Sequence, residues 1–336
     1  MKIGGVAAWA LVGACVVVGG AIADDYGDDS FQMPRDVVSA ATAFVTYMRG
    51  AAAVDGGFAN GEAVHRGLQA VSSYETGQLE EGMIAYGAIA ALQDDNFVEG
   101  VDRAAGRGEA RAALAERLVE DPFEATRIDG AAGAARRVEA ALATQAEPLV
   151  SAGSHVKIAA YSVQHQAWSK VFVPDAQGRL AEVKSLSASR SEPTEADNEA
   201  MMARVAARGA EAADADAPAG YSAIEARALA LAAEAVLGHA RASDRERLSP
   251  LLTETSSAQC LRMAKLNLYQ CMAVAGPQYE DIFCMGQHAM YDTAQCVSAA
   301  ARGGTEIMAS AAYSVRPGQG SYQPLAAHHS LRIDPN

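Results

Sequence analysis

Four cysteines around a Gly-Pro turn constrain the fold of this chain more than any other feature. They lie at positions 260, 271, 284 and 296, and the turn is Gly276-Pro277. Glycine suits the left-handed position that often ends a helix, and proline suits the first turn of the next helix. The pattern therefore predicts two antiparallel helices that meet at residues 275–278.

The spacing of the cysteines selects one disulfide pairing. Opposed positions in an antiparallel hairpin have a constant sum of residue numbers, and the sums for Cys260 with Cys296 and for Cys271 with Cys284 differ by one. A bond from Cys260 to Cys271 would span about 16 Å of helical rise, beyond the reach of a disulfide. The crossed pairing does not fit straight helices. We therefore predict the nested bonds Cys260–Cys296 and Cys271–Cys284.

One feature of this hairpin does not fit two regular helices. Twelve positions separate Cys284 from Cys296, which places them about 120° apart on a helix of 3.6 residues per turn. Gly286 could loosen the second helix. The same register predicts that Asn267 faces His288 between the two disulfides. His288 is therefore expected to be a structural residue and not a metal ligand.

Two helices joined by nested disulfides resemble the twin-cysteine helical hairpins of the mitochondrial intermembrane space. The resemblance covers 37 of 336 residues. The spacing departs from the nine intervening residues that this family has on each helix. The resemblance implies a stapled hairpin and no particular activity.

The first residues have the layout of a secretory signal. Lys2 precedes an uncharged apolar run that ends in Ala-Ile-Ala before Asp24, which is the pattern of an A-x-A cleavage site. We predict a signal peptide over 1–23 and a periplasmic mature chain, where four cysteines favour disulfides. The alternative is a lipid anchor on Cys15, which would leave an unusually apolar mature start.

Charge and residue spacing exclude several classes of partner. Removal of Lys2 changes the net charge from −14 to −15, so the acidic body repels nucleic-acid phosphates and anionic lipid. The cysteines lack the close C-x-x-C pairs of zinc sites, and the histidines lack a second ligand at a suitable spacing. We expect no nucleic acid, no metal, no cofactor, and no stable transmembrane span after signal cleavage.

Helical periodicity runs through nearly the whole chain and predicts an all-α protein. Asn60 is a predicted N-cap, and one predicted helix extends from Glu147 to Phe172. A stretch rich in small and acidic residues, with a short helix expected around Met201 to Val205, separates two helical units. The predicted divisions are a signal peptide at 1–23, a helical domain at 24–184, an acidic Ala/Ser-rich linker at 185–220, a helical domain with the hairpin at 221–302, and a disordered tail at 303–336.

One polar and aromatic cluster is a candidate binding face. Tyr161, His165 and Trp168 follow helical spacing, with two polar neighbours beside them, and they could form a stacking platform for a sugar or a peptide. Packing in the core is the alternative, since aromatic stripes on helices are usually buried. The candidate face comprises Lys157, Tyr161, Gln164, His165 and Trp168.

The sequence lacks the common catalytic signatures. The sequence from Ser154 to Lys157 matches the S-x-x-K core of serine penicillin-binding enzymes, but the K-T-G and S-x-N elements of those enzymes do not accompany it. No catalytic residue is therefore assigned. We expect a binding or scaffolding module of the cell envelope, with an envelope protein or a cell-wall fragment as its partner. A cell-wall-active hydrolase or transpeptidase-like enzyme is the alternative.

Overall fold

A computed structural model describes residues 31–207 and 220–302 of the chain. The predicted signal peptide, the possible lipid anchor at Cys15, residues 208–219 of the predicted linker and the predicted tail lie outside the described residues. Thirteen α-helices make up most of the described part, and the all-α prediction is confirmed. The helices are α1 Arg35–Ala52, α2 Gly61–Ser72, α3 Thr76–Ala91, α4 Asp95–Ala105, α5 Glu109–Glu120, α6 Ala131–Val163, α7 Ala176–Ala188, α8 Glu195–Ala206, α9 Ala223–Val236, α10 Arg245–Leu248, α11 Thr255–Val274, α12 Gln278–Cys284 and α13 Thr293–Arg302. A π-helix, Met285–Asp292, joins α12 to α13, and a 3₁₀ helix, Pro122–Arg127, follows α5.

Helix α3 is the centre of the molecule. Nearly all of its side chains are buried, and it packs against α1, α6 and α9. Small residues allow these close crossings: a Cβ added to Gly82 would lie 2.2 Å from the Ala40 carbonyl oxygen of α1. The many alanines of this chain thus let helices approach one another closely on several sides.

Side chains at the helix starts satisfy backbone N–H groups, and one of these caps was predicted from the sequence. The Asn60 side chain accepts a hydrogen bond from the Ala63 N–H at 2.9 Å, which confirms this residue as the N-cap of α2. Ser222 and Glu225 form a reciprocal capping box at the start of α9. These local bonds fix where the two helices begin.

Part of the stretch predicted as a linker is helical. Helix α7 continues to Ala188, and α8 forms within the stretch assigned to the linker. Met201 and Val205, one turn apart on α8, are both buried. Helices before and after this stretch share one hydrophobic core. Two large apolar side chains at the right spacing are enough to dock a short helix, although the average composition of the stretch is small and polar.

The C-terminal hairpin has the predicted disulfides. Cys260 is bonded to Cys296 and Cys271 to Cys284, with Cα–Cα distances of 5.7 Å and 5.6 Å. The bonds join α11 to α13 at one end of the hairpin and α11 to α12 at the other. The predicted pairing and antiparallel register are therefore confirmed.

The π-helix accounts for the spacing that two regular helices could not. Its backbone bonds run from residue i to i+5, so each residue turns the helix by less than in an α-helix. The eight residues Met285–Asp292 therefore reduce the rotation between Cys284 and Cys296. Both cysteines can then face α11. Within this segment His288 shares a 2.8 Å hydrogen bond with Asp292 rather than with Asn267.

Candidate functional site

The turn between α11 and α12 is built differently from the prediction. Gly276 does not have a positive φ, and Pro277 precedes α12 instead of lying in its first turn. A Cβ on Gly276 would lie 2.6 Å from Cε1 of Phe172. Glycine is required here because an aromatic ring covers the backbone, and not because the chain turns into the left-handed region.

A buried arginine donates hydrogen bonds to the free carbonyl groups at the end of α11. Nη1 of Arg179 lies 2.6 Å and 2.7 Å from the two carboxylate oxygens of Asp281, and its Nη2 donates to the carbonyls of Met272 at 2.8 Å and Ala275 at 3.1 Å. Carbonyls at a helix end lack partners within the helix. The guanidinium thus replaces the glycine cap that the sequence predicts, and it ties α7, α11 and α12 together.

An extended segment after α6 lies along this turn. The Val173 N–H donates to the Gly276 carbonyl at 3.0 Å, and the Gln278 N–H donates to the Val171 carbonyl at 3.1 Å. These two bonds form an antiparallel bridge that holds residues 171–173 against the hairpin. The side chain of Phe172 is thereby fixed over the turn while 71 % of the residue stays exposed.

Large apolar side chains are exposed at the end of α6, on the segment after it and at the end of α11. In the part of the chain that the structure describes, five of the eight exposed large hydrophobic residues lie here. We call these five residues the tip surface: Ile158, Tyr161, Val171, Phe172 and Val274. The half-buried ring of Phe283 borders them and meets Tyr161 edge to face, with ring centroids 6.2 Å apart.

The predicted binding face is only partly brought together. Lys157 and Tyr161 both approach Phe283, with Nζ of Lys157 5.9 Å from the ring centroid. Helix α6 ends at Val163, however, and not at Phe172.

The remaining members of the predicted face lie beyond the end of α6. The Ser169 hydroxyl donates to the Val163 carbonyl, so the chain folds back instead of continuing the helix. Gln164, His165 and Trp168 therefore do not share a helical face with Tyr161. Trp168 is half-buried against the core, and its Nε1 donates to Gln166 Oε1 at 2.5 Å.

A chain of polar side chains lines the outer face of the π-helix. Lys157 Nζ donates to Gln287 Oε1 at 2.6 Å, Gln287 Nε2 donates to Asp292 Oδ1 at 2.8 Å, and Asp292 Oδ2 contacts His288. Such an Asp-His pair can orient an imidazole, but acyl transfer also needs a nucleophile in contact with it. The Ser154 hydroxyl instead donates to the Val150 carbonyl at 2.9 Å. Ser154 and Lys157 are thus engaged with other groups and not with each other.

Two buried titratable groups were not foreseen from the sequence. Lys265 is 5 % exposed, and burial lowers its pKa to about 6. Its Nζ donates to the carbonyls of Ser72 and Tyr74 at 3.0 Å and 2.9 Å. Burial likewise raises the pKa of Glu80 to about 7. The signal for Lys265 was its spacing: it follows Leu261 by four residues and precedes Leu268 by three, on the buried face of α11.

A groove of about 370 Å³ lies between α1 and α6, away from the tip surface. Of the side chains that line it, Arg49 alone is charged. An enzyme site needs at least two titratable groups that converge in a cleft. This groove does not provide them.

The described residues contain neither a metal-binding cluster nor a helix that could span a membrane. Residues 31–207 and 220–302 contain no group of three or more His, Cys, Asp or Glu side chains arranged to hold a metal ion. No helix in those ranges has the length and apolar character needed to cross a membrane.

Comparison with known proteins gives no relative. No family model, no curated protein and no solved structure matches the chain. Its function is therefore inferred from the site alone.

Proposed function

We propose that this chain is an exported, periplasmic binding or scaffolding module of the cell envelope, without catalytic activity, that docks through its tip surface. The observation that carries the proposal is this set of five large apolar side chains, each more than half exposed. Contiguous apolar groups on a protein surface mark sites of interaction. The bridge to Phe172 and the Arg179 contacts hold this surface in a fixed shape, which lowers the entropy cost of binding.

The two disulfides support the proposed location. Disulfides persist in oxidising compartments and are rare in the reducing cytosol. Together with the signal-like start of the chain, the bonds Cys260–Cys296 and Cys271–Cys284 favour export. An envelope protein or a cell-wall fragment is the proposed partner of the scaffold, and nucleic acid is not.

The enzyme alternative receives less support from the geometry. A cell-wall hydrolase or a transpeptidase-like enzyme would need a nucleophile or a pair of carboxyl groups facing a cleft. Ser154 and Lys157 are bonded to other residues, and the buried Glu80 accepts a hydrogen bond from the backbone N–H of Glu254. These polar groups form hydrogen bonds within the protein, which gives the enzyme alternative less support.

Docking through the tip surface is tested by photo-crosslinking in the source cells. A photoreactive amino acid replaces Phe172 in one variant and Phe123 in a control, because Phe123 is also an exposed phenylalanine, at 40 %, but lies on the 3₁₀ helix after α5. We expect adducts at position 172 and few at position 123. Equal labelling at the two positions, or none at 172, would overturn the proposal.

Export is tested separately by the mass of the mature protein. We expect an amino terminus at Asp24 and no acyl chain, because the A-x-A pattern directs cleavage after residue 23. Intact-mass measurement of protein from the envelope fraction gives the answer. A lipidated Cys15 would show that the chain is anchored and that the predicted cleavage site is wrong.

A further inference from the structure

The charge of this acidic chain is unevenly distributed. No aspartate or glutamate occurs from 148 to 174, a stretch that contains four of the five residues of the tip surface. The same stretch carries Lys157 and Lys170, which are two of the four lysines that follow the predicted signal peptide. The acidic excess is therefore absent from the segment that carries most of the exposed apolar groups.

Three carboxylates border this stretch, and that of Asp281 forms an ion pair with Arg179. Asp175 caps α7 by accepting a hydrogen bond from the Gly178 N–H at 2.8 Å, and Glu280 accepts one from the Gly276 N–H, also at 2.8 Å. The carboxylate of Asp281 is buried against Arg179. Charges farther away are screened over about 8 to 10 Å at physiological salt. A contacting surface at the tip is therefore not exposed to the full repulsion that the net charge suggests.

The shape of the tip favours one kind of partner. Among the large apolar residues that the structure describes, Phe172 and Val274 are the most exposed, at 71 % and 79 %. Phe172 lies on the extended segment after α6, and Val274 is the last residue of α11. The groove between α1 and α6 contains none of the tip residues. Projecting apolar side chains with lysines and an amphipathic Tyr161 beside them match the boundary between lipid headgroups and acyl chains.

We propose that the tip surface rests on a lipid bilayer, with Phe172 and Val274 inserted at the headgroup boundary and the exposed Lys170 beside the lipid phosphates. This inference rests on the proposed function, since it names the partner class of the same docking surface. The sides of the molecule then stay free for the envelope protein or the cell-wall fragment that a scaffold would hold. The bilayer is contacted from one side and is not crossed.

Vesicle flotation tests this inference with the disulfide-bonded chain that begins at Asp24. The vesicles contain phosphatidylglycerol and phosphatidylcholine in one series and phosphatidylcholine alone in the other. We expect flotation with the mixed vesicles and weaker flotation with the zwitterionic ones. The Phe172→Ser/Val274→Ser double variant should bind at least about tenfold more weakly, because two exposed apolar side chains no longer enter the bilayer.

Two further variants separate the contributions of charge and general hydrophobicity. Lys170→Glu should weaken binding to the mixed vesicles by about fivefold or more. Phe123→Ser removes an exposed aromatic ring elsewhere and should leave binding unchanged. Val274→Ser alone should weaken binding without loss of structure, since this side chain is 79 % exposed.

The vesicle and crosslinking experiments fail in different ways. Native protein that does not float, or a Phe123→Ser variant that binds as poorly as the tip variants, would overturn the lipid inference. If position 172 then crosslinks to a protein in cells, the docking function stands and its partner is a protein. If the protein neither floats with vesicles nor forms adducts at position 172, both proposals fail.

Discussion

At the scale of residues, long basic side chains complete the ends of helices. Arg179 holds the carbonyls of Met272 and Ala275 at the end of α11, and Lys265 holds those of Ser72 and Tyr74 after α2. Arg111 does the same for the last carbonyls of α9. Carbonyl groups at helix ends need partners from elsewhere in the molecule. Long cationic side chains can reach them from another helix.

The charge of Lys265 should make the stability of the protein depend on pH. Burial lowers the pKa of this amine to about 6 in the folded protein, against about 10.4 in an unfolded chain. Between these values the unfolded state binds one proton more than the folded state. The free energy of unfolding contributed by Lys265 should therefore rise with pH, by up to about 1.4 kcal/mol per unit.

Urea unfolding of native protein and the Lys265→Met variant at several values between pH 6 and pH 9 measures this slope. The difference in free energy of unfolding between the two proteins should change with pH. Every other titrating group is common to both, so the change reports on Lys265 alone. Lys184→Met replaces an exposed lysine and is the control. Its free energy of unfolding should differ from that of native protein by the same amount at every pH. A constant difference for Lys265→Met would show that the amine stays protonated inside the fold.

At the scale of elements, the π-helix is shaped by a close crossing with α6. A Cβ on Gly286 would lie 2.4 Å from the Lys157 backbone nitrogen, and a Cβ on Gly153 would lie 2.7 Å from that of Tyr291. The two backbones touch without side chains between them. This contact fixes the position of Lys157, next to Phe283 and the tip surface.

Alanine at Gly286 should destabilise the protein although alanine favours helices. The added methyl group has to push two backbones apart, and overpacking of this kind costs about 1 to 3 kcal/mol. Gly50→Ala is the matched control, since Gly50 lies in α1 with no atom within 4 Å of the added Cβ. That variant should gain up to about 1 kcal/mol from helix propensity.

Urea unfolding followed by circular dichroism compares the two glycine variants under identical conditions. We expect the midpoint of Gly286→Ala to fall and that of Gly50→Ala to rise. If both unfolding midpoints shift in the same direction, the two backbones at Gly286 leave room for a methyl group.

At the scale of the whole molecule, one core joins helices from both sides of the predicted linker. Helix α3 packs against α1 and α6, which precede the predicted linker in the sequence, and against α9, which follows it. Removing either group of helices would expose the apolar surface of α3. The described helices should therefore unfold together.

Thermal unfolding should show a single cooperative transition. Far-ultraviolet circular dichroism reports on all helices, and the fluorescence of Trp168, the sole tryptophan after the predicted signal peptide, reports on the region between α6 and α7. Both signals should change at the same temperature if the core is shared. Two separate transitions would instead support independent helical domains.

Parts of the candidate site followed from the sequence because they depend on local spacing. The cysteine register gave the disulfides, and Lys157 and Tyr161 were placed near each other by helical periodicity. The exposure of Phe172 and Val274 could not be foreseen, because it depends on where α6 and α11 end. Both ends depend on contacts that are distant or irregular, namely the Arg179 guanidinium and the Ser169 hydroxyl.

The sequence by itself determined the helical class, the start of α2 and the disulfide pairing. Each of these depends on residues that are close along the chain or that repeat at the spacing of a helix turn. Only the tertiary structure decided the π-helix, the docking of α8 and the single core around α3. These features arise where backbones approach closely or where a few side chains find a partner far away in sequence, and no local pattern encodes those distances.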